Sequence, residues 1–393
     1  MKQIPALLTA LLLAGFLAAC EPIPGPPDPG PSSGAAPVSS LPPASAPSAS
    51  APGLAECAEL YGRELLGGEE QAAYDLLRAA AQAGDTEVAL PALGADGLFR
   101  VMTYLRRDNP KLDWLEHEYS FEQREDSTWV RLRYSLAPAG IAAENDRLEG
   151  AADSLLGGLS NELSEFDRAV LIHDRLVESI VYDLDAPRKS ELAGALLDGR
   201  ATCEGYAKAY QYLLQKAGLQ ALLVYGEAGE AHAWNIVRLD GDYYLCDVTW
   251  DDVPLADGGE FLSHEYLFWD DASFAVSHTP TGSESTNLPL PVCDSLEQNY
   301  FRKTGTLLES PDPQEAEAAF QRALDRAAAY GCTAVQVGFS TPLLADVIEA
   351  GLNGDGALDR FLKEAAARKG FDVIGRAFSD ARTSLTYLVK PAA

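Results

Sequence analysis

GRATCEGYAKAYQYLLQKAGL, residues 199–219, reads as a helix that begins at a cysteine. Thr202 is a suitable N-cap residue immediately before Cys203. Tyr206, Ala209, Tyr210, Leu213, Leu214 and Ala217 recur at helical spacing, and Gly218 suits the left-handed position that closes a helix. The spacing therefore predicts a thiol at a helix N-terminus. There the helix dipole favours negative charge, and unpaired N–H groups can receive an oxyanion.

Two further stretches extend the pattern. HAWNIVRL (232–239) alternates as a strand and runs into Asp240-Gly241, a two-residue hairpin signal. With that loop Leu239 pairs with Asp242, and positions 232, 234, 247 and 249 share one face. YLCDVTWDD (244–252) returns along the hairpin and brings Asp247 to a position diagonal to His232. A three-residue loop with a bulge would flip the parity and separate them. Cys203 precedes His232 by 29 residues, and His232 precedes Asp247 by 15. A thiol, an imidazole and a carboxylate are the parts of an activated nucleophile: the imidazole removes the thiol proton and the carboxylate orients the imidazole.

These segments in this order, with FDRAVLIHDRLVESIVYD (166–183) before them, resemble the core of the transglutaminase-like superfamily, part of the wider papain-like thiol group. The resemblance is clearest over 160–270; YLRRDNPKLDWL (104–115) resembles the leader region of bacterial secreted members. It implies an α+β fold, with a helix carrying the cysteine packed on an antiparallel sheet carrying the histidine and aspartate. It also implies acyl transfer through a thioester, with Cys203, His232 and Asp247 as the triad. The acyl group of a carboxamide or of a protein or cell-wall peptide would pass to water or to an amine. The Cys203 N–H would form part of the oxyanion hole, with Tyr182 as second donor; a buried structural tyrosine is the competing reading. Trp234 and Trp250 flank the triad positions and could wall the acyl slot, or pack in the core. The fold does not decide between turnover, silent binding and a structural envelope role.

The remaining histidines and cysteines are less telling. His173 reads as a partly buried packing residue, His264 and His278 lie in a loop-rich stretch and read as surface or structural residues or as lining the cleft, and His117 has no partner visible in sequence. Cys57, Cys246, Cys293 and Cys332 have no metal-site spacing; a Cys57–Cys293 bridge and four free thiols both remain open. Cys246, next to Asp247, points to the opposite face of its strand. No C-x-x-C, H-E-x-x-H or calcium-loop spacing occurs, so neither a metal nor another cofactor is expected.

The N-terminus suggests a compartment. Lys2, an apolar run from Ala6 to Phe16 and LAAC at 17–20 resemble a bacterial lipoprotein signal, with Cys20 as the lipidated residue. An ordinary secretory signal is the alternative. Of the 33 residues from 21 to 53, 28 are Pro, Ser, Ala or Gly, a composition that makes a tether. The expected location is the extracytoplasmic face of a membrane. Beyond the tether three parts are expected: an α+β region over 54–150, the thiol core over 151–290 and an α+β domain over 291–393. In the first, WLEHEYSF (114–121) and TWVRLRYSL (128–136) read as an antiparallel pair. The net charge of −29 opposes nonspecific binding to nucleic acid.

Overall fold

The structure, a computed structural model, describes residues 54–392 other than 55, 255–259, 282–287, 331–332, 354–355 and 380–382. Cys20, the tether and Cys332 lie outside the described residues.

The site is built on a five-stranded antiparallel sheet. Its strand order is Leu267–Trp269, Asp242–Cys246, Ala231–Leu239, Ala221–Glu227, Thr279–Pro280. The Asp240-Gly241 loop forms as its sequence demands: both residues have positive φ, 51° and 101°, and Leu239 pairs with Asp242. The helix Cys203–Lys216 lies on this sheet, with Glu165–Val177 packed beside it. Gly218, at φ 82°, ends the nucleophile helix. Tyr206, Tyr210, Leu213 and Leu214 on its inner face are fully buried, each side chain contributing about 1.5–3 kcal/mol. Ser164 caps the second helix by accepting the Asp167 N–H at 3.0 Å.

Before the core, helices Gly68–Ala83 and Ala95–Asp108 flank a three-stranded sheet ordered Glu87–Pro91, Ser127–Arg131, Ser120–Arg124. The expected hairpin over 114–121 and 128–136 is therefore shorter and displaced. Leu112–Trp114 is a 3-10 turn, and a single bridge from Leu115 to Tyr134 is all that remains of the outer pairing. Burial explains the shift: Trp114 is packed in the core, with its indole donating to Ala81 O at 3.0 Å, which pulls it out of any strand.

Among the described residues two large apolar clusters, beside a small one of Ala207, Leu223 and Ala233, underlie the three parts expected. One runs without interruption from Leu60 to Leu307; the second runs from Leu308 to Val389. The boundary drawn at 150 separates no cores, because helix Ala95–Asp108 docks directly on strand Ala221–Glu227. The C-terminal unit is a four-stranded sheet ordered Leu307–Leu308, Ala334–Phe339, Ser384–Pro391, Phe371–Phe378, with helices Pro313–Tyr330, Pro342–Asn353 and Ala357–Arg368. Its Gln336 side chain clamps the segment 263–264, accepting the His264 N–H and donating to Ser263 Oγ, both at 3.0 Å.

Candidate active site

Cys203 is seated by the chain before it. Val181–Tyr182 and Arg200–Ala201 form a two-stranded parallel pair that delivers the chain to the helix start. Thr202 occupies the N-cap position, but its hydroxyl does not cap; it donates to Lys189 O at 3.3 Å, and its N–H donates to the same oxygen at 2.8 Å. No side chain among the described residues accepts from the first-turn amides, which leaves them open to a substrate oxygen. Gly205 allows this close approach: a Cβ there would lie 2.6 Å from Lys189 O and 2.7 Å from Ala201 Cβ.

His232 and Asp247 meet at 2.6 Å, Nε2 to Oδ2. The contact is not made across the ladder, as parity suggested. The ladder ends at Asn235 and Cys246, and His232 pairs instead with Gly226 on the other side. Asp247 leaves the strand and folds back: its Oδ1 accepts the N–H groups of Thr249 at 2.9 Å and Trp250 at 3.2 Å, an Asx-type turn. Its own N–H donates to Tyr266 O at 3.1 Å. Asn235 anchors the hairpin to the nucleophile helix through Ala207 O at 3.0 Å.

The electrostatics follow from that geometry. Burial opposes charge on His232, yet the Asp247 charge and hydrogen bond, followed by the hydrogen bond with Cys203, raise its pKa to about 10. Burial likewise opposes charge on Asp247, but the His232 charge and hydrogen bond, then the hydrogen bond from His278, hold it well below the usual carboxylate range. With Nε2 committed to Asp247, Nδ1 is the nitrogen left for the thiol. The arrangement favours an imidazolium beside the sulfur.

Residues 151–248 match the family model of the transglutaminase-like superfamily. The chain carries a transglutaminase-like core. The matched span contains Cys203, His232 and Asp247. Kyphoscoliosis peptidase of Homo sapiens is 26% identical over 188 residues, 42% of this chain and 28% of that protein. The Mus musculus protein is 25% identical over 159 residues, 33% of this chain and 24% of its own length. The chain thus aligns with little more than a quarter of the curated relatives it matches. Among solved structures, one described as a TGase has a TM-score of 0.26 at 15% identity, over 42% of this chain and 50% of that one.

Around this transglutaminase-like triad the other expected residues fall differently. Tyr182 is 42% exposed and close enough to Cys203 that, after burial, the thiol is the next influence raising its hydroxyl. Trp250 is partly exposed, its ring 5.6 Å from that of His232. Trp234 is 1% exposed and stacks behind His232 at 6.1 Å, so it supports the imidazole from inside and does not wall the slot.

His278, read as a surface or structural residue or as one lining the cleft, is fully buried in the site. Its Nε2 lies 3.0 Å from Asp247 Oδ2 and its Nδ1 2.7 Å from Ser277 Oγ. It lies beyond the matched span, on the lead-in to strand Thr279–Pro280, which adds to the sheet beside Gly226. SHTP carries no periodicity that would reveal this.

His173 is more than a packing residue. It is fully buried, with Nδ1 2.9 Å from Asp174 Oδ1 and Nε2 3.3 Å from Asp251 Oδ2. Asp174 Oδ1 also receives His264 Nε2 at 2.9 Å, and the His264 ring stacks on Tyr300 at 4.0 Å. His173, Asp174 and His264 form one donor set close enough for a metal; His232, Asp247 and His278 form another. In the second set the Asp247 oxygens already accept four donors, leaving no lone pair for an ion. Cys57, Cys203, Cys246 and Cys293 are all free, so the conceivable Cys57–Cys293 bridge does not form. Cys246 is buried, as its strand parity requires.

Proposed function

We propose that the transglutaminase-like core is a thiol acyl enzyme. The observation that carries the reading is His232 placed between Cys203 and Asp247. His232 Nδ1 already holds the thiol proton in the resting ion pair, and the thiolate sulfur attacks a carboxamide or peptide carbonyl. The oxyanion is received by first-turn amides of the nucleophile helix, with the Tyr182 hydroxyl beside the thiol as a second donor. His232 then returns the proton to the leaving nitrogen as its bond to carbon breaks, and a thioester remains on Cys203. Water or an amine attacks the thioester, His232 takes its proton, and the acyl group departs.

The peptidase name of the curated relatives supports water as the acceptor, which makes hydrolysis of a peptide or carboxamide the leading reaction. Cys20 carries the lipid in this reading and holds the enzyme at the extracytoplasmic face of a membrane, where protein or cell-wall peptides are the substrates.

The test is mass spectrometry of products after incubating the full chain with glutamine and peptide substrates and a labelled primary amine. Wild type should yield hydrolysed or amine-labelled product, and Cys203→Ala none. Equal product from both proteins would overturn the assignment. Silence from both would favour a binding role for the cleft.

A further inference from the structure

In a chain of net charge −29, the ground beside Cys203 gathers cations. Arg106 and Arg107 end the helix Ala95–Asp108. Among the described residues neither is paired with a carboxylate. Arg106 Nη2 donates to Glu116 O, while its buried Nε has no partner. Arg107 lies over the Tyr225 ring, 4.0 Å from its centre, and reaches Leu223 O with Nη1 at 3.4 Å, a long and weak contact. Burial lowers both guanidinium pKa values, the mark of charges removed from water without a full counterion. Burial of this kind is costly unless something anionic repays it.

This ground adjoins the thiol. Cys203 and Tyr225 pack on the same small apolar cluster, Ala207, Leu223 and Ala233. Arg107 caps the Tyr225 ring, so this buried cluster carries the guanidinium on one side and the nucleophile on the other. Glu204, next to Cys203, offsets the Arg107 charge only in part and makes no ion pair with it. Its carboxylate is held by Lys208 Nζ at 3.0 Å and by the Tyr225 hydroxyl at 2.8 Å. Lys208 also binds Asp113 at 2.6 Å. Lys208 is thus taken up by carboxylates, with Glu191 also feeling its charge, while neither arginine has an ion pair among the described residues. His117, exposed at the rim, feels Arg106 and Lys208 as well as Glu204 and Asp113.

We propose that Arg107, assisted by Arg106, forms a subsite that binds a carboxylate on the substrate, so that the enzyme selects acidic peptides or amides whose carboxylate lies within about a residue of the attacked carbonyl. Arg107 is a specificity residue: its planar guanidinium, backed by Tyr225, presents a fork to a carboxylate as lysine does not. The inference rests on the thiol-enzyme reading for its biological meaning.

A matched pair of alkylating probes separates the two claims. Bromoacetyl-glutamate and bromoacetyl-glutamine differ only in the side-chain charge, and peptide mass spectrometry reads modification at Cys203 alone. Wild type should prefer the glutamate probe by about fivefold or more at low ionic strength, and the preference should shrink at about 0.5 M salt. Arg107→Gln should bring the ratio near one, and Arg107→Lys should restore part of it. The ratio cancels any change in thiol reactivity common to both probes. Equal rates in wild type, or an undiminished ratio in a folded Arg107→Gln protein, would overturn the subsite. If neither probe modifies Cys203, the activated thiol fails as a separate matter. Displacement of Arg107 side-chain resonances by N-acetylglutamate, but not N-acetylglutamine, then still decides the subsite: absence of that selectivity overturns it.

Discussion

His278 directs Nε2 at the same Asp247 oxygen that receives His232, at 3.0 Å against 2.6 Å. Asp247 is ionised and can only accept, so both imidazoles carry their proton on Nε2. His278 Nδ1 is then an acceptor for the Ser277 hydroxyl. With the Thr249 and Trp250 amides on Oδ1, the carboxylate is saturated and cannot rotate without losing bonds. In the proposed mechanism His278 is a positioning residue, acting on the thiol through Asp247 and His232.

His278→Phe keeps an aromatic ring of similar size and removes the donor. Losing one hydrogen bond to a buried charge is worth about 1.5–3 kcal/mol. A fall in kcat/KM of roughly tenfold or more is expected, with a displaced pH–rate profile. Unchanged rate and profile would mean that the backbone donors alone hold Asp247.

Asp247→Asn presents an amide to two imidazole donors. Both histidines must then give up their present tautomer or their contact. In serine enzymes the comparable change costs about 10⁴-fold in kcat, and a cysteine enzyme, whose nucleophile ionises more easily, should lose less. The expected loss is still at least about a hundredfold in single-turnover rate. A loss below about threefold would remove Asp247 from the mechanism.

Gly226→Ala tests the seat of His278. A Cβ at 226 would lie 2.3 Å from Thr279 O and 2.3 Å from the Trp234 ring. Neither the strand Thr279–Pro280 nor the fully packed indole can give way cheaply. A destabilisation of about 1–3 kcal/mol is expected in denaturant unfolding, with loss of activity in the protein that remains folded. Wild-type stability and rate would show that the strand is not held as described.

The His173 cluster should make stability depend on pH. Burial disfavours charge on His173, but the hydrogen bond to Asp174 and the Asp251 carboxylate 3.3 Å away raise its pKa to about 9, against about 6.5 unfolded. A raised folded-state pKa stabilises fully below the unfolded value and progressively less as pH climbs through the folded one. Asp174, held low by His264 and His173 despite burial, adds stability that is lost only in acid. Wild type should therefore lose more Tm between pH 6.5 and 9 than His173→Gln does. Parallel Tm curves for the two proteins over that window would contradict this assignment.

The proposed anchor is tested at Cys20. Cys20→Ser removes the acylation site, and no helix among the described residues is long and apolar enough to cross a membrane. Wild type should incorporate a palmitate analogue and fractionate with membranes, while the variant should incorporate none. Equal labelling of both would sink the lipoprotein reading.

The amino-acid sequence by itself determined the local pieces of the site. Helical spacing and Gly218 marked the nucleophile helix, and Asp240-Gly241 set the hairpin register. Both signals depend on neighbours a few residues apart, where backbone conformation and side-chain period suffice. Cys203, His232 and Asp247 were legible because the three motifs occur in order. Only the tertiary structure decided what surrounds them. Asp247 turns out of the strand because its own side chain captures two following amides. His278 enters because a two-residue edge strand pairs at Gly226, where no side chain blocks it. Trp114 abandons an alternating run because the core takes its ring. Arg107 reaches Tyr225, which packs on the same cluster as Cys203, because its helix docks on the sheet. Such contacts join segments distant in sequence, and no local period encodes which of many possible partners a buried imidazole or an uncompensated guanidinium will meet.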